Sequence, residues 1–177
     1  MVNLKKKGHL WLGLLIFGSV VFSVNAADME IKISNPRPTC SLTFDGKDTL
    51  TYLLGTMARG VEMRHAPFTL GISCKGSSVI KTALTARNRT GTLQSGDDSV
   101  MMRVDNQDVS NGTLLWLEAS GGQRVKLSGM TNDAFCVRND TSESLPNICQ
   151  LRPVTNVPAG SPEGNIDVTI LFDVVYL

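Results

Sequence analysis

The strongest constraint on this sequence lies at its end. Residues 165–177 read Asn-Ile-Asp-Val-Thr-Ile-Leu-Phe-Asp-Val-Val-Tyr-Leu. Ile166, Val168, Ile170, Phe172, Val174 and Tyr176 recur at a period of two, and Asn165, Asp167, Thr169 and Asp173 take alternate positions. Successive side chains of a strand point to opposite faces, so the pattern predicts a β-strand with one apolar face. Burying that face would contribute on the order of 10 kcal/mol gross. It reads as a core strand, yet it stops at Leu177 with no strand after it. A long apolar strand with an uncovered edge invites association.

The other end of the sequence carries the counterpart. Met29-Glu-Ile31-Lys-Ile33 alternates cleanly, and Asn35-Pro-Arg-Pro38 separates it from the first cysteine and the strands beyond. One end lacks a strand and the other has a spare. The economical expectation is that the spare strand fills the gap of another subunit.

Before that strand, Lys5, Lys6 and Lys7 lead into an apolar run from Leu10 to Val24 and a small-residue end, Val24-Asn25-Ala26. This order predicts a secretory signal peptide over residues 1–26. The run is shorter than the roughly 20 residues that a spanning helix needs. The remaining chain is the size of one domain. Its charge is slightly negative once the three signal lysines are removed, which gives no reason to expect nucleic-acid or anionic-membrane binding.

Cys40, Cys74, Cys136 and Cys149 make an even set in an exported chain, which reads as two disulfides. Three pairings are open. The sequential one, Cys40 with Cys74 and Cys136 with Cys149, is favoured because each loop is modest. A zinc site is the rival, and the wide spacings with no Cys-x-x-Cys pair count against it.

Between these landmarks, short apolar runs are predicted as strands: 41–44, 50–54, 68–74, 79–86, 99–104, 114–118 and 124–127. Asp45-Gly46, Lys75-Gly76, Ser95-Gly96-Asp97, Asn111-Gly112 and Gly121-Gly122 punctuate them as turns. Such spacing predicts an all-β sandwich. Residues 54–63 could hold a turn of helix. Residues 128–163, rich in Asn, Ser, Thr and Pro, read as loop tied by the second cysteine pair, with a short strand around 150–154.

Nothing in the pattern points to catalysis, a cofactor or a metal. His65 is the one histidine after the signal and has no obvious partner, so it reads as a surface residue. Scattered Ser and Asp residues do not make a triad without a base. Asp97-Asp98 and Asp105–Asp108 lack an EF-hand pattern and read as polar turns. Trp116, inside an apolar run, reads as packing rather than a sugar platform. Three Asn-x-Thr triplets match the glycosylation acceptor and read as chance.

Taken together, the chain resembles the pilin subunits of chaperone–usher fimbriae. The family's C-terminal motif has a penultimate Tyr, matched by Tyr176, and a Gly fourteen places from the end, matched by Gly164, with the alternating strand between. Its first disulfide joins the opening strand to the next, which Cys40 and Cys74 fit. Its alternating N-terminal extension is matched by residues 27–39.

The resemblance implies an incomplete immunoglobulin-like sandwich over residues 40–177, lacking its seventh strand. It implies a periplasmic chaperone that lends a strand and anchors the carboxylate of Leu177. At an outer-membrane usher, a neighbouring subunit's extension would replace that strand. Met29, Ile31 and Ile33 would then be donor residues. Gly164, Ile166, Val168, Ile170, Phe172, Val174, Tyr176 and Leu177 would form the accepting strand. The expected function is a structural subunit of a cell-surface fimbria, contributing to adhesion. The alternative is a receptor-binding subunit that touches a host receptor through residues 128–163. One departure matters: Ile33, beside Ser34, stands where the family's extension usually has Gly. That fits a minor subunit, adaptor or assembly initiator better than a repeating shaft protein.

Overall fold

The computed structural model describes residues 39–76 and 78–177. The expected signal peptide and the donor residues Met29, Ile31 and Ile33 lie outside the described residues. Twelve strands are present among those described: β1 (Thr39–Phe44), β2 (Val61–Arg64), β3 (Phe68–Lys75), β4 (Ile80–Asn88), β5 (Thr92–Leu93), β6 (Val100–Met101), β7 (Arg103–Val104), β8 (Leu114–Glu118), β9 (Phe135–Thr141), β10 (Asn147–Val157), β11 (Ile166–Asp167) and β12 (Ile170–Tyr176).

The large sheet runs β1-β3-β10-β8-β6-β5, with β2 also paired to β10, and the small sheet runs β12-β4-β9. All pairings are antiparallel. In immunoglobulin lettering, β1, β3, β10 and β8 take the A-B-E-D order, while β4 and β12 take C and F. Among the described residues no strand takes the G position beside β12.

Strand β3 shows why two layers form. Phe68, Leu70, Ile72 and Cys74 alternate with half-buried residues, and each is at most 7% exposed. They meet Leu84 and Ala86 of β4 in one core, with Leu115, Leu117 and Leu151. Two disulfides secure it. Cys40–Cys74 joins directly paired residues of β1 and β3, and Cys136–Cys149 crosses from β9 in the small sheet to β10 in the large one.

Several expectations need correction. Residues 128–163 are not mostly loop, because β10 is an eleven-residue central strand. Its Asn, Gln, Arg and Pro residues hide a strict alternation in which Asn147, Cys149, Leu151 and Pro153 are buried. Pro153 is tolerated because β10 changes partners there, from β3 up to Leu151 to β2 from Val154. The Pro153 carbonyl accepts from the His65 N–H in that break, so the missing Pro N–H falls where no ladder bond is needed.

Residues 50–54 form no strand. Leu50, Tyr52 and Leu54 instead lie half-buried against the core, and Tyr52 Oη donates to the Ala66 carbonyl at 2.6 Å. Nor is there a helical turn over 54–63, where Gly55 and Gly60 adopt positive φ and β2 begins at Val61. Residues 124–127 make bridging bonds rather than a strand, with Val125 and Leu127 buried.

Trp116 is buried between Leu115 and Leu117, which both face the core. The Arg124 guanidinium covers its ring at 4.1 Å, and its Nε1 donates to Glu118 Oε1 at 3.3 Å. His65 is a half-buried residue with partners rather than a free surface one. Its Nε2 lies 2.8 Å from Thr155 Oγ1, and its ring meets Tyr52 edge-on with centroids 6.5 Å apart. Burial holds its pKa below the ordinary value of 6.5.

A candidate strand-accepting slot between β1 and β12

The apolar face of β12 is not sealed. Ile170, Phe172 and Val174 pack against the core but remain only partly buried, and Tyr176 is 52% exposed. The corresponding face of β3 is closed because β3 has a neighbour on each side, β1 and β10. On β12, β4 is the only paired neighbour among the described residues. The core strand expected from the sequence is therefore an edge strand, and its core face stays half open.

The backbone of that edge is also unused. Leu177 N–H donates to the Lys81 carbonyl, so odd-numbered residues of β12 turn their backbone groups towards β4. Phe172, Val174 and Tyr176 then point N–H and C=O away from it. On the opposite side, Asp45 N–H donates to the Thr69 carbonyl, which directs the groups of Leu42 away from β3. Leu42 and Phe44 of β1 also pack on the core while half-buried. Phe44 and Phe172 meet edge to face across the gap, with ring centroids 5.8 Å apart. The result is a slot with an apolar floor, an unpaired edge on β12, and an edge on β1 that is open at Leu42 but bonded to Lys47 at Phe44.

The remaining edges are blunted. Strand β9, at the far side of the small sheet, has two register shifts against β4, and Cys136 within it takes a φ of 57°. Bulges of this kind twist an edge away from pairing. Arg138 and Asp140 add an ion pair at 3.0 Å on the same strand. The large sheet ends in β5, which is two residues long. By contrast, β12 pairs with β4 without a register shift from Ile170 to Tyr176. Among the described strands, only the slot offers a long regular edge over apolar side chains.

The eight accepting residues expected from sequence divide into two groups. Ile170, Phe172, Val174 and Tyr176 lie along the slot, whereas Leu177 follows β12 with its N–H bonded to Lys81. Ile166 pairs with Val104 in the separate β11–β7 ribbon, where Arg103 Nη2 donates to Asp167 Oδ2 at 2.5 Å. Val168 lies between the two strands and packs on the core. Gly164 precedes the ribbon with a φ of +147°. A Cβ there would stand 2.6 Å from Val104 Cγ1 and Asp105 Oδ2, so the position has both a conformational and a steric need for glycine.

Sequence reasoning misses the β1 wall, because Leu42 and Phe44 look like any short strand. The acidic turns serve the backbone. Asp97 and Asp105 adopt positive φ, and Asp105 Oδ1 accepts from the Asn165 N–H at 3.0 Å. Among the described residues no group of His, Cys, Asp and Glu could hold a metal ion.

No protein-family model matches this sequence, and no curated protein matches it. Solved structures do. A chaperone–usher pilus structure, described for the molecular basis of rod uncoiling, aligns with a TM-score of 0.55 at 10% identity, covering 88% of this chain and 99% of the other. The P pilus rod subunit PapA aligns with a TM-score of 0.55 at 13% identity, covering 77% and 99%. The chain therefore has the fold of chaperone–usher pilus subunits.

Proposed function

We propose that this chain is a structural subunit of a bacterial surface fimbria that joins its neighbours by accepting a β-strand between β1 and β12. The observation that carries this reading is the half-buried apolar face of β12 beside an unpaired backbone edge. An inserted strand would satisfy those N–H and C=O groups, and its alternate side chains would cover Ile170, Phe172 and Val174. Completing the burial of each would stabilise the assembly by about 1 kcal/mol.

Residues 1–26 would direct export to the periplasm. There a chaperone lends the missing strand beside β12. At the outer-membrane usher, a neighbour's extension takes the chaperone's place. The segment with Met29, Ile31 and Ile33 acts in turn as a donor. The pilus-subunit fold supports this route, as does the alternation of both end segments.

The test is purification of the chain from periplasm with whatever accompanies it. A stoichiometric chaperone and neighbouring subunits are the expected companions. Deleting residues 28–34 should leave the chaperone complex intact and abolish donation. A stable monomer with no strand-lending companion would count against the reading, as would normal fimbriation by the deletion mutant.

A further inference from the structure

Strands β8 and β10 also build a pocket on the side of the large sheet that faces away from the core. Leu115 and Leu117 point into the core, so Trp116 and Glu118 at the alternate positions point outward. Arg152 is the direct ladder partner of Glu118, and Val154 pairs with Trp116 on one side and Arg64 on the other. Residues paired in this way share a face, so Arg64, Arg152 and Glu118 converge. The cavity between them measures about 250 Å³ and is completed by Pro67, Gln150 and the turn Ala119–Gly122.

The floor of this cavity is a charge. The Glu118 side chain is only 9% exposed although it lies on the outer face of a sheet. Its Oε2 accepts from Arg64 Nη1 at 2.9 Å, and its Oε1 accepts from Trp116 Nε1 at 3.3 Å. A buried carboxylate needs such partners, so Arg64 is committed to the floor, with Glu62 a further contact at 3.9 Å. Arg152 is different. It is exposed, stands directly across from Glu118, and makes no hydrogen bond or ion pair among the described residues.

Donors therefore outnumber acceptors around the cavity. The Arg152 guanidinium, the Gln150 amide and the Ser120 hydroxyl can all donate, while both Glu118 oxygens are already engaged. A ligand has to bring acceptors, and the planar fork of an arginine matches a carboxylate. The remaining lone pairs of Gln150, Ser120 and Glu118 can accept from hydroxyl groups. No aromatic platform is offered, because Arg124 covers the Trp116 ring. The volume falls below the roughly 300–1,000 Å³ of drug-sized ligand sites, which selects a single ring over a chain. Gly121 and Gly122 adopt positive φ and leave the rim free of side chains, since a Cβ at either would meet nothing within 4 Å.

We infer that this pocket binds a small hydroxylated carboxylate, the chemistry of one acidic sugar residue. Arg152 grips the carboxylate, and Gln150 and Ser120 take the hydroxyls. Gln150 and Arg152 lie within 128–163, the segment through which contact with a host receptor was the alternative expectation. The inference does not depend on the β1–β12 slot, and the two readings fail separately.

The test titrates glucuronate, glucose and acetate into the full chain, purified from periplasm with any strand-lending companion. The backbone amide signals of Gly121 and Gly122 are followed by NMR. Glucuronate should shift them saturably, with a millimolar Kd, and glucose should not. Acetate should bind at least ~10-fold more weakly than glucuronate, since it lacks the hydroxyl contacts. Arg152→Gln should weaken glucuronate by ~10-fold or more. Arg59→Gln, which removes the same charge at an exposed site paired with Glu163, should leave it unchanged. Arg64 is not varied, because its loss would strand the buried Glu118. The inference is overturned if glucuronate produces no saturable shift up to ~50 mM, or if Arg152→Gln binds as the parent does. Equal binding of acetate would reduce the pocket to a plain anion site and overturn the sugar-acid assignment. Equal weakening by Arg59→Gln would show an effect of overall charge, and would overturn the site.

Discussion

The side-chain amide of Asn147 reaches back eleven residues to donate to the carbonyl of Cys136, 2.8 Å away. The same Nδ2 donates to Thr82 Oγ1 at 3.2 Å, and Thr82 Oγ1 lies 2.6 Å from Thr141 Oγ1. Asn147, Thr82 and Thr141 are all buried. One amide thus links β10 to β9 and β4 at the point where the second disulfide crosses between sheets.

Asn147→Ala should cost about 1–3 kcal/mol, since it removes the donor from two buried acceptors at once. Chemical denaturation would measure the loss. Mass mapping should still find Cys136 joined to Cys149, because the variant alters polar satisfaction and not the cysteines.

The two disulfides should differ in weight. Cys40–Cys74 spans 34 residues and Cys136–Cys149 spans 13. By the entropy of loop closure, replacing the first pair with serines should cost about 4 kcal/mol and replacing the second about 3 kcal/mol. Equal or inverted losses in paired unfolding curves would show that native-state contacts, not loop length, dominate.

Burial lowers the His65 pKa below 6.5, so the unfolded chain binds this proton more readily than the folded one. The associated stability is present in full above about pH 6.5 and is lost as pH falls below it. Urea midpoints should therefore be lower at about pH 5 than at about pH 7.5, and His65→Gln should reduce that difference. Thr155 helps to hold the ring, because its hydroxyl donates to Met57 Sδ at 3.1 Å and leaves its oxygen to accept from His65 Nε2–H.

Phe172→Asp should abolish capture of an added strand, because it puts a charge into the slot floor and removes the contacts to Phe44 and Phe68. Val137→Asp, at an exposed site on the bulged β9, should change stability by less than about 0.5 kcal/mol. Co-purification of a strand-lending partner with each variant separates the two cases. Equal recovery would remove β12 from the accepting site.

Much of this architecture is legible in the sequence where one face is apolar and the other polar. The alternation of residues 165–177 announces β12, and 114–118 coincides with β8. The runs 68–74 and 79–86 fall within one or two residues of β3 and β4. Strand β10 is only partly legible: the short strand expected around 150–154 lies within it, but Gln150, Arg152 and Pro153 hide its full length of Asn147–Val157. The signal that could reveal it is the alternation of Cys149, Leu151 and Pro153. The accepting site is half legible. The β12 side follows from its period of two, whereas the β1 wall is a tertiary fact that no local pattern contains. His65 misleads for a similar reason, since its partner Thr155 is 90 residues away.

The two bulges of β9 have a consequence for how many contacts the molecule can make. A small sheet with two smooth flanks would template strands on both sides, and such units could stack without limit. Here one flank is crooked and the other borders a single berth that β1 closes from behind. If the berth takes a strand as proposed, it would hold one and then be full. Growth through it would be confined to a line, one guest per molecule, and the distortion that spoils β9 as an edge would keep such an assembly a thread and not an aggregate.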